Sequence, residues 1–272
     1  MAYFYRLDVL YKDHTNTAVD LSFSQVLLKI RNSLARSRFT QIPQLSSSRP
    51  IDMKTTFDIV PPQCTGAKRA LLIGINYTGQ QGELSGCQND CLNMVEYIKD
   101  VHGFQDENIT LLMDTNGYVQ PTKENIVNAY RQLVASTEPG DAVFCHYSGH
   151  GGKLIDDDGD EKDGYDETLI PVDYESAGQI RDDELFSTLI GPLKAGVVMT
   201  CVMDCCHSGT VLDLPYVFVA DGEHEGMEIP ADFDFAALQG LFQTFVAAQQ
   251  GTSQDPMSML LNAAVSQCCT LM

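Results

Sequence analysis

"GVVMTCVMDCCHSG", Gly196 to Gly209, changes character half-way along its length. Its first half is almost wholly apolar, and it then passes within a few residues to acid, thiols, histidine and glycine. A short, nearly continuous apolar run that stops abruptly is the mark of a strand buried on both faces, as in a parallel sheet. Two further runs share the form: "RALLIGINY" (69–77) and "DAVFCHYSGHGG" (141–152).

Helical patterns lie between these runs. "CQNDCLNMVEYIKD" places Cys91, Met94, Val95 and Ile98 on one face, and "TKENIVNAYRQLVAS" places Ile126, Tyr130, Leu133 and Val134 on one face behind a Thr122 N-cap. "DDELFSTLI" begins a further helix, with Asp182 or Asp183 as its cap. This alternation predicts a single-domain α/β fold with a mostly parallel central sheet flanked by helices. Such sheets bind ligands beyond the carboxyl ends of their strands, where His150, Cys205 and Cys206 fall.

Composition narrows the function. The 272 residues are 44% hydrophobic, enough for one substantial core. Nine cysteines in a chain with no leader-like run predict reduced thiols and a cytoplasmic setting, and the absence of C-x-x-C spacing argues against structural zinc. The net charge of −20 divides into +5 over residues 1–69 and −25 over residues 70–272, and no Lys or Arg follows Lys194. Such a surface repels nucleic acid, so no nucleic-acid partner is expected.

A thiol and an imidazole brought together at strand ends form a proteolytic dyad, in which the imidazole takes the thiol proton and the thiolate attacks a carbonyl. His150 precedes Cys206 by 56 residues. Backbone N–H groups must hold the oxyanion, and those of Gly151 and Cys206 are the candidates. Choosing between the adjacent thiols rests on strand alternation. If the chain stays extended, Val202, Asp204 and Cys206 share one face and Met203 and Cys205 the other, so the polar face carries Cys206 and Cys205 packs as a small apolar group. His146 and His150 are four apart, but the glycines around them oppose the helix a zinc pair would need. Ser148 lacks the G-x-S-x-G setting of a serine nucleophile.

"ALLIGINY", "LSGCQND", "HYSGHGG" and "DCCHSGTVLDLPY" occur in this order and resemble the metacaspases, calcium-dependent cysteine proteases of caspase-like fold. The resemblance covers residues 66–216 and implies Cys206 as nucleophile and His150 as general base. It places Asp90 and Asp204, with Cys87 and Ser148, in the pocket for the substrate residue before the cut. Two carboxylates there favour Arg or Lys. The bland alternatives are a helix-start acid for Asp90 and a strand-end acid for Asp204.

Calcium is the implied cofactor, and the resemblance selects Asp166, Asp182, Asp183 and Asp213 for it. The run "IDDDGDEKDG" has no EF-hand register and reads as a solvated loop. Residues 23–60 resemble the small-subunit-like segment that follows the catalytic region in most of the family, with a helical face at Val26, Leu27, Ile30 and Leu34 and a strand at "TTFDIV". Its place at the front resembles the type III arrangement. The expected organisation is a small-subunit-like segment at 1–65 completing the sheet, a catalytic region at 66–216, and a helical extension at 217–272 carrying Phe235, Leu238, Phe242 and Phe245.

A monomer acting on protein or peptide substrates with Arg or Lys before the cut is expected. The alternative is a catalytically weak, calcium-responsive scaffold that binds basic partners. The chain end "QCCTLM" fits C-a-a-X, which points to lipidation of Cys268 and Cys269 and membrane association; a packed chain end is the competing reading.

Overall fold

The computed structural model describes residues 21–155, 164–205, 211, 212, 214–231 and 233, together with the backbone of Gln267–Leu271. Helix α1, Phe23–Arg36, opens with a capping box: the Ser22 hydroxyl accepts from the Gln25 N–H, and the Gln25 side chain accepts from the Ser22 N–H. Such a start stabilises a helix by ~1 kcal/mol. Its buried face is the expected one, with Phe23, Val26, Leu27, Ile30 and Leu34. Strand β1 (Gln44–Ser47) follows, then β2 (Lys68–Gly74), α2 (Cys87–Asp100), β3 (Ile109–Met113), α3 (Lys123–Ala135) and β4 (Ala142–Ser148). The expected Thr122 cap is present, its hydroxyl accepting from the Asn125 N–H at 3.2 Å.

Strands β5 (Gly151–Ile155), β6 (Tyr165–Leu169) and β7 (Ile180–Arg181) make a separate three-stranded antiparallel sheet. A short helix, α4 (Tyr174–Ala177), joins β6 to β7, and α5 (Asp182–Leu185) leaves β7 and runs into a wider turn over Phe186–Ile190. The last elements are β8 (Val198–Asp204), β9 (Tyr216–Val219) and β10 (Gln267–Leu271).

The main sheet has the order β3-β2-β4-β8-β10-β1-β9. Its first five strands are parallel, and β1 is antiparallel to both neighbours. Apolar residues alternate across it as a period of two requires. Leu71, Ile73, Val143, Cys145, Met199, Cys201 and Met203 face the core beneath α3 and the 185–193 segment. Ala70, Leu72, Phe144 and Val202 face the opposite core, shared with α1 and α2. Both faces are thus buried, which is why these strands read as unbroken apolar runs.

The N-terminal segment joins the sheet, with one correction. Its strand is Gln44–Ser47, whereas residues 55–60 make one isolated bridge, Ser22 to Thr56. There the Asp58 carboxylate accepts from the Val60 N–H at 2.8 Å, a local turn that competes with strand pairing, while Phe57 and Ile59 still enter the core. Strand β10 lies between β1 and β8.

The reading of 217–272 as a helical extension is corrected at both ends, which are strands; the proposed helix at 235–245 lies outside the described residues. Strand β10 contains both cysteines of the lipid reading: the backbones of Cys268 and Cys269 pair with Met199 and Thr200, and those of Thr270 and Leu271 with Cys201 and Val202. Among the described residues, no helix is long and apolar enough to cross a membrane.

Candidate active site

The carboxyl ends of β2, β4 and β8 are level: Gly74 pairs with Ser148, and Ser148 with Asp204. Glycine is required at 74, since a Cβ there would come within 2.7 Å of the Cys87 carbonyl and the Cys91 thiol. The first turn of α2 is thereby pressed onto the strand end, which delivers Cys87 and Asp90 beside Ser148 and Asp204. The turn begins at Gly86, whose φ of 117° a side chain would resist. The Asn76 side chain accepts from the Cys87 N–H at 3.0 Å, and Asp114 accepts from the Asn76 N–H and the Gln88 amide.

All four residues expected in the pocket are brought together. Cys87, Asp90 and Ser148 are buried and Asp204 is half-buried. Burial pushes the Cys87 thiol up; Asp90 and Asp204 push the same way, and a hydrogen bond with Ser148 opposes them. Both carboxylates therefore act on the same thiol.

His150 stands two residues beyond β4. Its Nε2–H donates to the Gly82 carbonyl at 2.6 Å, which leaves Nδ1 as the nitrogen available to a thiol. Gly82 has φ of 82°, and a Cβ on it would meet Nε2 at 3.3 Å, so glycine lets the carbonyl approach the ring. The Tyr77 ring lies against the imidazole, centroids 4.8 Å apart. Strand β8 ends at Asp204, and Cys205 packs against the same core as Met203, as alternation predicts. Cys206 lies outside the described residues. Gly151, the other oxyanion candidate, opens β5 opposite Leu169.

The acidic residues converge elsewhere. Carboxylate oxygens of Asp166 on β6 and of Asp182 and Asp183 on α5 lie within 4.8 Å of one another; Asp213 and residues 156–163 are outside the described residues. Neither Asp182 nor Asp183 is the N-cap, which is Arg181 with extended backbone. Asp182 instead turns inward, accepting from the N–H groups of Glu167 at 2.8 Å and Asp183 at 3.0 Å. Burial pushes its carboxyl up to about 8, the two backbone donors oppose this, and Asp166 and Asp183 add to it. Arg181 donates to the Asp166 carboxylate and to the Ile155 carbonyl. A donor set made only of crowded carboxylate oxygens fits a hard cation such as calcium and not a softer metal.

Sequence reasoning missed Gly82, Tyr77, Tyr147 and Arg181. The tyrosines sit inside the motifs "GINY" and "HYSGH", but apolar runs gave no reason to separate them from ordinary core residues. Gly82 acts through a backbone carbonyl, for which a sequence carries no signal.

Residues 68–215 match the metacaspase peptidase C14 domain. The chain is 58% identical over 238 residues to Metacaspase III c of the diatom Phaeodactylum tricornutum, covering 87% of this chain and 71% of that one. It is 52% identical over 161 residues to Metacaspase-1A of Neurospora crassa, covering 58% of this chain but only 36% of the fungal protein. A solved structure of Geobacter sulfurreducens, protein GSU0716, aligns with a TM-score of 0.43 and 33% identity over 54% of this chain and 53% of that one. With a domain match over more than half its length, and with 58% identity to a type III relative over most of it, the chain belongs to the metacaspases, cysteine peptidases built on a caspase-like α/β domain.

Proposed function

We propose that this metacaspase is a calcium-dependent endopeptidase that cuts after Arg or Lys, with Cys206 as nucleophile and His150 as general base and acid. The observation that carries the reading is the convergence, at the level ends of β2, β4 and β8, of the anchored His150 imidazole and the cluster of Cys87, Asp90, Ser148 and Asp204. A guanidinium or ammonium entering that pocket would be paired by both carboxylates, which fixes the scissile carbonyl next to the dyad.

The chemistry then runs as follows. His150 Nδ1 takes the Cys206 proton while Nε2–H stays on the Gly82 carbonyl, and the thiolate adds to the scissile carbonyl carbon. Negative charge moves to the carbonyl oxygen, held by the N–H groups of Gly151 and Cys206. The tetrahedral adduct collapses as the imidazolium hands its proton to the departing amine, leaving a thioester. Water, deprotonated by His150, attacks that thioester, and the thiol leaves with a proton returned to it. Asp166, Asp182, Asp183 and Asp213 would hold calcium, which supplies charge neutralisation away from the bond that breaks.

The test is turnover of a peptide carrying a single Arg, against the same peptide with Asp or Gln there, with and without millimolar calcium. Calcium-dependent cleavage after Arg alone is the expected result. Binding of the Arg peptide without cleavage would favour the calcium-responsive scaffold.

A further inference from the structure

We propose that Tyr77 and Tyr147 are positioning residues: their paired hydroxyls clamp the backbone of His150 against Ile170 and so set where the catalytic imidazole stands. This rests on His150 being the base of the dyad. The His150 N–H donates to the Tyr77 hydroxyl at 3.0 Å, and the Tyr77 hydroxyl donates to the Ile170 carbonyl at 2.6 Å. The Tyr147 hydroxyl lies 2.8 Å from the His150 carbonyl and 3.1 Å from the Ile170 carbonyl, and donates between them. The two hydroxyls are 3.3 Å apart, and the Ile170 N–H donates to the His150 carbonyl at 3.2 Å. Both polar groups of the His150 backbone are therefore fixed by the same small network, while Gly82 fixes the ring.

Three observations mark this as more than core packing. Tyr77 has φ of 53°, a left-handed conformation that costs a bulky residue roughly 1–2 kcal/mol and that the surrounding contacts must sustain. Gly149 is forced to be glycine by the clamp, since a Cβ there would lie 2.9 Å from the Tyr147 hydroxyl and 3.0 Å from that of Tyr77. Both phenols are buried, and burial pushes their titration above the ordinary range, so they remain neutral donors. The clamp also reaches past the dyad: Ile170 directly follows β6, the strand that carries Asp166, so movement of β6 would move His150.

The test is Tyr77→Phe, with Tyr147→Phe as a second variant that keeps the buried ring. Turnover of the single-Arg peptide at saturating calcium is measured beside the pH profile of Cys206 alkylation, read site by site by mass spectrometry. The expected result is a kcat lowered by about tenfold to a hundredfold in at least one variant, with KM changed by less than about twofold. The alkylation midpoint should move upward, toward that of His150→Ala. Lower thermal stability with kcat and the alkylation profile unmoved in both variants would overturn the clamp and leave the hydroxyls a structural role only. A shifted His150→Ala profile beside unmoved tyrosine variants refutes this proposal alone, whereas an unshifted His150→Ala profile would remove the dyad beneath it.

Discussion

Two groups of carboxylates, each part buried and part half-buried, are held in different ways. In the pocket, Asp90 rides on the first turn of a 14-residue helix and Asp204 ends a strand of the parallel sheet, two elements whose spacing is fixed by backbone pairing and by the contact of Gly74 with α2. Its place in the first turn of the helix favours the Asp90 charge. Asp166, Asp182 and Asp183 lie instead on a small antiparallel sheet and the short helix that leaves it, crowded against one another with the Arg181 guanidinium on Asp166. Carboxylates of like sign can therefore stand in unlike electrostatic settings: on the triple, burial first, and then the neighbouring Asp166 and Asp183, push the Asp182 carboxyl up to about 8, a shift that a bound cation or proton would relieve.

The largest expected effect tests the dyad both regions serve. Cys206→Ala and His150→Ala should each lower kcat/KM on the order of 10⁴-fold or more, since the members of a dyad act as a unit. Full turnover by Cys206→Ala, measured with the single-Arg peptide, would undo the assignment.

Next in size is the pocket pair. Asp90→Asn and Asp204→Asn should each lower kcat/KM for an Arg substrate by roughly 10²-fold while calcium dependence stays as it was. Equal losses on a peptide with a neutral residue before the cut would show that the pair supports the fold and does not select the side chain.

A smaller effect belongs to the acidic triple, and it carries a pH signature. Asp182→Asn with Asp183→Asn should raise the calcium concentration for half-maximal activity on the order of tenfold or more, with selectivity for Arg retained. Without calcium, the folded chain keeps a proton on Asp182 between its ordinary value near 3.8 and about 8, where the unfolded chain has lost it. Folded stability from this group is therefore greatest at low pH and declines as pH rises through that window. Calcium must displace the same proton, so its affinity should rise with pH and level off above about 8. Calcium titrations of the wild type at several pH values check this, and a pH-independent affinity would separate Asp182 from the site.

The smallest effect is at the neighbouring thiol. Cys205 packs at the edge of the core, so Cys205→Ala should cost about 1 kcal/mol of stability and leave most of the turnover. Thermal unfolding and the peptide assay together check both halves.

Much of this was legible before any coordinates. The three apolar runs mark β2, β4 and β8, because strands buried on both faces need apolar residues throughout; the helical faces of α1 and α3 follow from a period of 3.6. The grouping of Cys87, Asp90, Ser148 and Asp204 follows from the family resemblance of the motifs that carry them, and the four do lie together. The alternating pattern of residues 55–60 misleads, because it reads as a strand and is satisfied instead by burying Phe57 and Ile59 from a turn.

Periodicity and local motifs are enough to specify the parallel strands, the residues at their carboxyl ends and the cysteine-peptidase chemistry. The entry of β10 between β8 and β1, the seat of Arg181 on Asp166, and the hold of Gly82, Tyr77 and Tyr147 on His150 arise only in the folded chain. Each of these depends on backbone groups or on partners far apart in the chain. Such contacts leave no period and no composition behind, and exist only once the chain has closed on itself.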